Sequence, residues 1–354
     1  MSEYERYKDK NKQNLIKYAE SFFNAAEYVI NEIMQKKNHI RHRLILPVLY
    51  MYRHSLELII KANVMKFIHK YDESIINSHG LLEFFNKVEC DKNDYTQWLR
   101  GFLQEIDSID EKSIIFRYPC DTQNAFIKDN NGFSMLHVQE TMSLAFKILK
   151  NLYTDETKTY KCGGQLPSEK LFVEDSDYNF NCFLGGNCFT SKFKMFCQGY
   201  TETFMLLTEH KSNLRLFYTP INFLFFLSTE LVFKNMISRV RGTDFMQAQW
   251  GKIEHKIGKA TNKFDNQVIE GIFYNLDKED RKQLNIYLNI LRNIPGNLNI
   301  YRFPFHKNYC PCAQFSENIS EEKLVEDFKI KKDCIDFLSG LCIEVENKMY
   351  YIDE

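Results

Sequence analysis

Apolar residues recur at helical spacing along most of the chain, with few breakers between them. Residues 10–36 carry one such pattern, and 79–89, 93–107 and 134–153 carry others, each set off by polar or Pro-containing stretches. The pattern returns in the second half over 192–210, 219–240, 253–264, 277–292 and 320–349. Residues 44–70 differ from all of these. They are apolar on nearly every side, as a core helix is, yet "YMYRHSLELIIKANVM" holds Arg53, His54, Glu57 and Lys61. A charge buried without a partner costs several kcal/mol, roughly, so these four groups imply partners. "SIIFRYP" at 113–119 breaks the helical pattern with β-branched residues and then Pro119, which ends any helix before it.

The second half repeats the first. "SLELIIKANV" at 55–64 lies on "STELVFKNMI" at 228–237, pairing Glu57 with Glu230 and Lys61 with Lys234. "SHGLLEFFNKV" at 78–88 lies on "EHKIGKATNKF" at 254–264, pairing His79 with His255. "IIFRYP" at 114–119 lies on "NIYRFP" at 299–304, pairing Arg117 with Arg302. "YAESFF" at 18–23 lies on "YTETFM" at 200–205. The four matches keep their order along the chain, which points to an internal duplication. The predicted organisation is all-α: one up-and-down helical bundle over 1–153, a turn-rich irregular linker over 154–191 with a short hairpin, and a second bundle over 192–354.

Arg53, Glu57 and Lys61 share one helix face at i, i+4, i+8, and His54 flanks it. A buried Glu57 can accept hydrogen bonds from Lys61, His79 or Arg117, locking the helices in register. For the positions present in both halves (Glu57, Lys61, His79 and Arg117, with Glu230, Lys234, His255 and Arg302) such a structural network is the expected role. Arg53 and His54 stand apart, because Phe226 and Leu227 replace them in the second half. Groups that one copy can lose are not needed to make the fold. A His beside an Arg suits acid–base chemistry at a phosphate, and a pair at a domain interface is the equal alternative.

The residues "YRHSLELIIKA", "HGLLEFFNKV" and "FRYP" resemble the HEPN superfamily of bacterial helical-bundle domains, over about residues 10–153, with a degenerate second copy over about 192–350. Many HEPN proteins are metal-independent ribonucleases of toxin and phage-defence systems. The resemblance therefore implies endonucleolytic RNA cleavage to 2′,3′-cyclic phosphate ends, with Arg53, His54, His79 and Arg117 as the catalytic set. The family motif places a His several residues beyond its Arg. Leu58, Ile59 and Ile60 stand there in this chain. Either His54 or His79 replaces that His, or the chain is a non-catalytic HEPN-like module that binds a protein, an RNA or a nucleotide signal. Because HEPN units pair, the two halves are expected to form an internal pseudo-dimer, or the first half to mediate a homodimer.

Composition narrows the picture further. The formal net charge of −1 carries no global signature of a nucleic-acid binder. The basic stretch "NHIRHRLIL" at 38–46 reads as a solvated helix connection ahead of a nucleic-acid patch. A polar N-terminus and the lack of a long apolar run predict a cytoplasmic protein without a membrane span. The ten Cys are then expected to be mostly reduced thiols, since Cys162, Cys182, Cys188, Cys197, Cys310 and Cys312 lack paired zinc-ligand spacing. Neither a phosphate loop nor a dinucleotide fingerprint is present, and no cofactor is expected.

Overall fold

The structure is a computed structural model that describes residues 3–35, 43–67, 78–118, 131–154, 165–174, 181–184, 192–241, 278–293, 301–304 and 319–350. The chain divides into two compact units. The first is Met1–Lys192 with Phe303–Gln314, and the second is Phe193–Arg302 with Phe315–Glu354. Both are predominantly helical.

The first unit is built on α1 (Glu3–Gln35), α2 (Ile45–Phe67), the short α3 (Leu81–Phe85), α4 (Asp94–Asp110) and α5 (Met135–Thr154). On α1, the residues Leu15, Tyr18, Phe22, Ala25, Ala26, Val29, Ile30 and Ile33 are buried at helical spacing. They form the stripe that packs along α2. α2 is buried on every side from Leu44 to Met65, with α1, α3 and α5 packed around it. That explains why none of its faces is turned to solvent over this span. α4 starts at a capping box, in which Asn93 and Thr96 satisfy each other's backbone N–H groups. Near its C-terminus, Asp107 accepts from Leu81 N at 2.9 Å and Leu82 N at 2.8 Å, capping the start of α3. At the other end of α5, Lys66 of α2 donates to Leu152 O and Tyr153 O, so α2 is tied to that helix terminus as well.

The predicted helix boundaries agree with these elements to within a few residues, except that α1 begins earlier and α3 is shorter. The "FRYP" segment is a series of turns, with Phe116, Arg117 and Tyr118 buried. Of the stretch 154–191, where a short hairpin is predicted, residues 155–164, 175–180 and 185–191 lie outside the described residues; β2 (Asn181–Leu184) runs antiparallel to β1 (Asn131–Ser134), across the whole of α5. Residues 165–174, read from sequence as linker, lie on the first unit. Trp98 Nε1 donates to Pro167 O at 2.7 Å, Ser134 N to Val173 O at 2.7 Å, and Leu171 is fully buried. Polar, turn-rich composition marks a segment without a helix, but says nothing about where it docks.

The second unit contains α6 (Lys192–Glu209), α7 (Tyr218–Arg241), α8 (Lys278–Asn293) and α9 (Glu321–Tyr350). α7 is the buried helix here, packed against α9. Lys331 of α9 donates to Asn222 of α7 at 2.6 Å, and Asn235 of α7 donates to Cys342 Sγ. The helix predicted at 253–264 lies outside the described residues. No helix among the described residues is long and apolar enough to cross a membrane.

Candidate functional site

The polar stripe of α2 converges on one carboxylate. Glu57 is fully buried, and its two oxygens take different partners. Oε1 accepts from Lys61 Nζ at 2.7 Å and pairs with His79 Nδ1 at 2.8 Å. Oε2 accepts from Arg53 Nη1 at 3.0 Å, and His54 Nδ1 lies 3.8 Å from it. Burial alone would raise the Glu57 carboxyl. The charges of Lys61 and His79, with the hydrogen bond from His79, outweigh it and hold the group well below the usual carboxylate range.

Arg53 is among the largest fully buried side chains of the described residues. Besides Glu57, its guanidinium reaches three backbone carbonyls. Nε donates to Asp110 O at 2.8 Å, and Nη2 donates to His79 O at 2.7 Å and to Glu111 O at 3.0 Å. Asp110 and Glu111 close the C-terminus of α4, where carbonyls lack helical partners and carry partial negative charge. Asp110 is itself engaged: its Oδ1 accepts from Ile114 N and Ile115 N, shaping the turn that leads to Arg117. The same turn contains Ser113 at φ 56°, in the left-handed region. One side chain thus joins α2 to the segment before α3 and to the end of α4.

His54 is buried among rings. It stacks on Tyr50 at 5.5 Å and meets the edge of Phe22 at 4.8 Å and Phe303 at 5.5 Å. His79 differs from the other members of the cluster, since 23% of its side chain is exposed. Phe303 lies against it with ring centroids 6.2 Å apart and planes 20° apart, and the Lys61 ammonium sits 4.6 Å from the centre of the same ring. Arg117 is buried and donates through Nε to Ser113 O at 2.5 Å, with its guanidinium over Tyr50 and Tyr118.

In the second unit Glu230 and Lys234 form a close buried ion pair one helical turn apart, and Arg302 is buried. Phe226 and Leu227 are buried at the register positions of Arg53 and His54. His255 lies outside the described residues. Among the described residues no group of His, Cys, Asp or Glu is placed to hold a metal ion. Cys182 and Cys197 are buried, and the four other Cys considered as ligands lie outside the described residues.

Of the partners expected for Glu57, Lys61 and His79 bond it, whereas Arg117 donates to Ser113 O; the pattern did not point to Asp107, Asp110 or Phe303. Asp107 and Asp110 fall in the last turn of α4, and the amides they accept from belong to α3 and to the turn after α4, so the local pattern does not mark them. Phe303 carried no sign, being one of 30 Phe. Comparison of the chain with protein-family models, curated proteins and solved structures returns no match.

Proposed function

We propose that the chain is a tandem HEPN-like helical protein acting as a non-catalytic binding module, with the α2 polar cluster holding the first bundle together. The observation that carries this reading is the engagement of Arg53. Its guanidinium donates four hydrogen bonds to protein acceptors in a fully buried position. Presenting it to a phosphate would strip the α4 terminus and the segment before α3 of their donor. The duplication is supported by like roles at like positions: the Glu57–Lys61 and Glu230–Lys234 ion pairs are both buried, as are Tyr18 with Tyr200, Phe22 with Phe204, and Arg117 with Arg302. A protein is the first ligand class to test, ahead of RNA or a nucleotide. Among the described residues, five large apolar side chains are exposed, Leu216, Ile286, Val325, Ile330 and Ile343, and these five lie in the second unit.

His79 favours a second reading, metal-independent RNA cleavage in a toxin or phage-defence setting. A buried carboxylate on Nδ1 of a partly exposed imidazole orients the ring as a general base requires. Such a base would take the proton of a ribose 2′-hydroxyl, whose oxygen attacks the adjacent phosphorus as the P–O5′ bond breaks; the 2′,3′-cyclic phosphate remains on one fragment, and the departing 5′-oxygen of the next nucleotide takes a proton from solvent. Incubating wild type and His79→Ala with total bacterial RNA in EDTA separates the two readings. The module leaves the RNA intact in both samples. Fragments with cyclic-phosphate ends from wild type alone would establish the ribonuclease.

A further inference from the structure

Residues 165–174, "QLPSEKLFVE", lie on the first unit in the manner of a bound peptide. Leu171 is fully buried, while Gln165, Ser168, Glu169, Lys170 and Glu174 are exposed. Three hydrogen bonds tie the segment to the bundle, and in each the segment supplies a backbone carbonyl. Trp98 Nε1 of α4 donates to Pro167 O at 2.7 Å, His137 Nε2 of α5 to Lys170 O at 2.8 Å, and Ser134 N at the end of β1 to Val173 O at 2.7 Å. These carbonyls recur at every third residue, which is the repeat of polyproline II. The receiving face is aromatic. Trp98 stacks on Phe102 with ring centroids 5.1 Å apart, and Phe133 of β1 meets the Phe172 ring at 4.9 Å. Extended Pro-containing peptides are received by aromatic-lined faces of this kind. Every residue offers a carbonyl, so such a face selects by shape and by the seats of Leu171 and Phe172.

We propose that the face formed by Trp98, Phe133, Ser134 and His137 is a peptide-binding groove, which residues 165–174 fill as an internal competitor. Its partner is an extended segment of another protein that carries a Pro and, four residues on, a Leu followed by an aromatic residue. One fully buried side chain and three hydrogen bonds make the internal segment easier to release than the bundle beneath it. The inference rests on the binding-module reading and names the class of partner.

The test titrates a fluorescein-labelled QLPSEKLFVE peptide with the full chain and reads fluorescence anisotropy. Wild type is compared with Leu171→Asp, which puts a charge into a buried seat and so releases the internal segment. Phe172→Ala, a milder change, secures the comparison if Leu171→Asp does not fold. An occupied groove weakens apparent affinity by the fraction of molecules in which it is open, so the peptide binds Leu171→Asp about tenfold tighter than wild type. Adding Trp98→Phe to Leu171→Asp keeps a ring but removes the donor to Pro167 O, and lowers the affinity several-fold. Equal affinity for wild type and the folded variants, or binding to none of them, overturns the proposal. Binding that Trp98→Phe leaves unchanged overturns it too, by placing the peptide elsewhere. A wild-type dimer that Leu171→Asp converts to monomers, read by analytical ultracentrifugation, would give the groove to a second copy and also overturn it. The RNA experiment fails separately: cyclic-phosphate fragments would remove the module reading and leave these affinities as measured.

Discussion

At the scale of the residue, Glu57 and Arg53 govern what the buried cluster contributes. Glu57 gathers two cationic side chains and His79 around one carboxylate, and its proton affinity falls below the ordinary value despite burial. A carboxyl with a folded pKa below its unfolded value near 4.5 binds fewer protons when folded. Its stabilisation is then fully present above that value and is lost as pH falls through the lower folded pKa. Thermal unfolding followed downward from neutral pH should show wild type losing stability below about pH 4.5 more steeply than Glu57→Gln. The variant itself should be less stable at neutral pH. An equally steep acid limb in both would place the sensitivity elsewhere. Arg53→Ala leaves three carbonyls and a carboxylate short of a donor in a buried site. Its expected loss is about 3–5 kcal/mol, the range for removing one partner of a buried charge pair, read from the urea midpoint.

At the scale of the element, the short α3 has too few residues to hold itself. Its five residues rest on buried Leu81, Phe84 and Phe85 and on the carboxylate of Asp107 reaching over from α4. Burial pushes that carboxyl up against the opposing effect of the two backbone donors and of Arg53. Asp107→Ala should cost about 1 kcal/mol, the usual worth of a helix cap. It should also speed amide exchange at Leu81 and Leu82, with Asp107→Asn intermediate because it keeps one acceptor oxygen. Unchanged exchange at both amides would mean that the apolar contacts alone hold α3. Since His79 lies just before α3, the same cap helps fix the partly exposed imidazole on Glu57.

For the whole molecule, two central helices of different chemistry emerge from one repeated pattern. α2 keeps Arg53 and His54 and spends them on carbonyls, a carboxylate and aromatic rings. α7 has Phe226 and Leu227 at the matching positions, packed in an apolar interior, with Phe226 stacked on Tyr301. The chain then passes from Tyr301 in one unit to Phe303 in the other. The polar cluster on α2 is thus covered by the ring of Phe303, which follows Tyr301 by two residues.

The local rules of helix periodicity were enough to find α2, α4, α5, α6, α7, α8 and α9 and to place Glu57 and Lys61 on one face, because each depends on residues within a few turns. The Glu57–Lys61 and Glu230–Lys234 pairs follow from i, i+4 spacing and needed no tertiary information. The partners of Arg53 could not be read in the same way. Three of its four acceptors are backbone carbonyls, at His79, Asp110 and Glu111, and every residue has a carbonyl, so side-chain identity does not mark them. Equally hidden were the β1–β2 pairing and the seat of Phe303, which join residues distant in sequence. Sequence by itself determined which side chains would need satisfying in the core. Only the tertiary structure decided that helix ends, turns and the ring of Phe303 would satisfy them, because those meetings depend on how the helices pack.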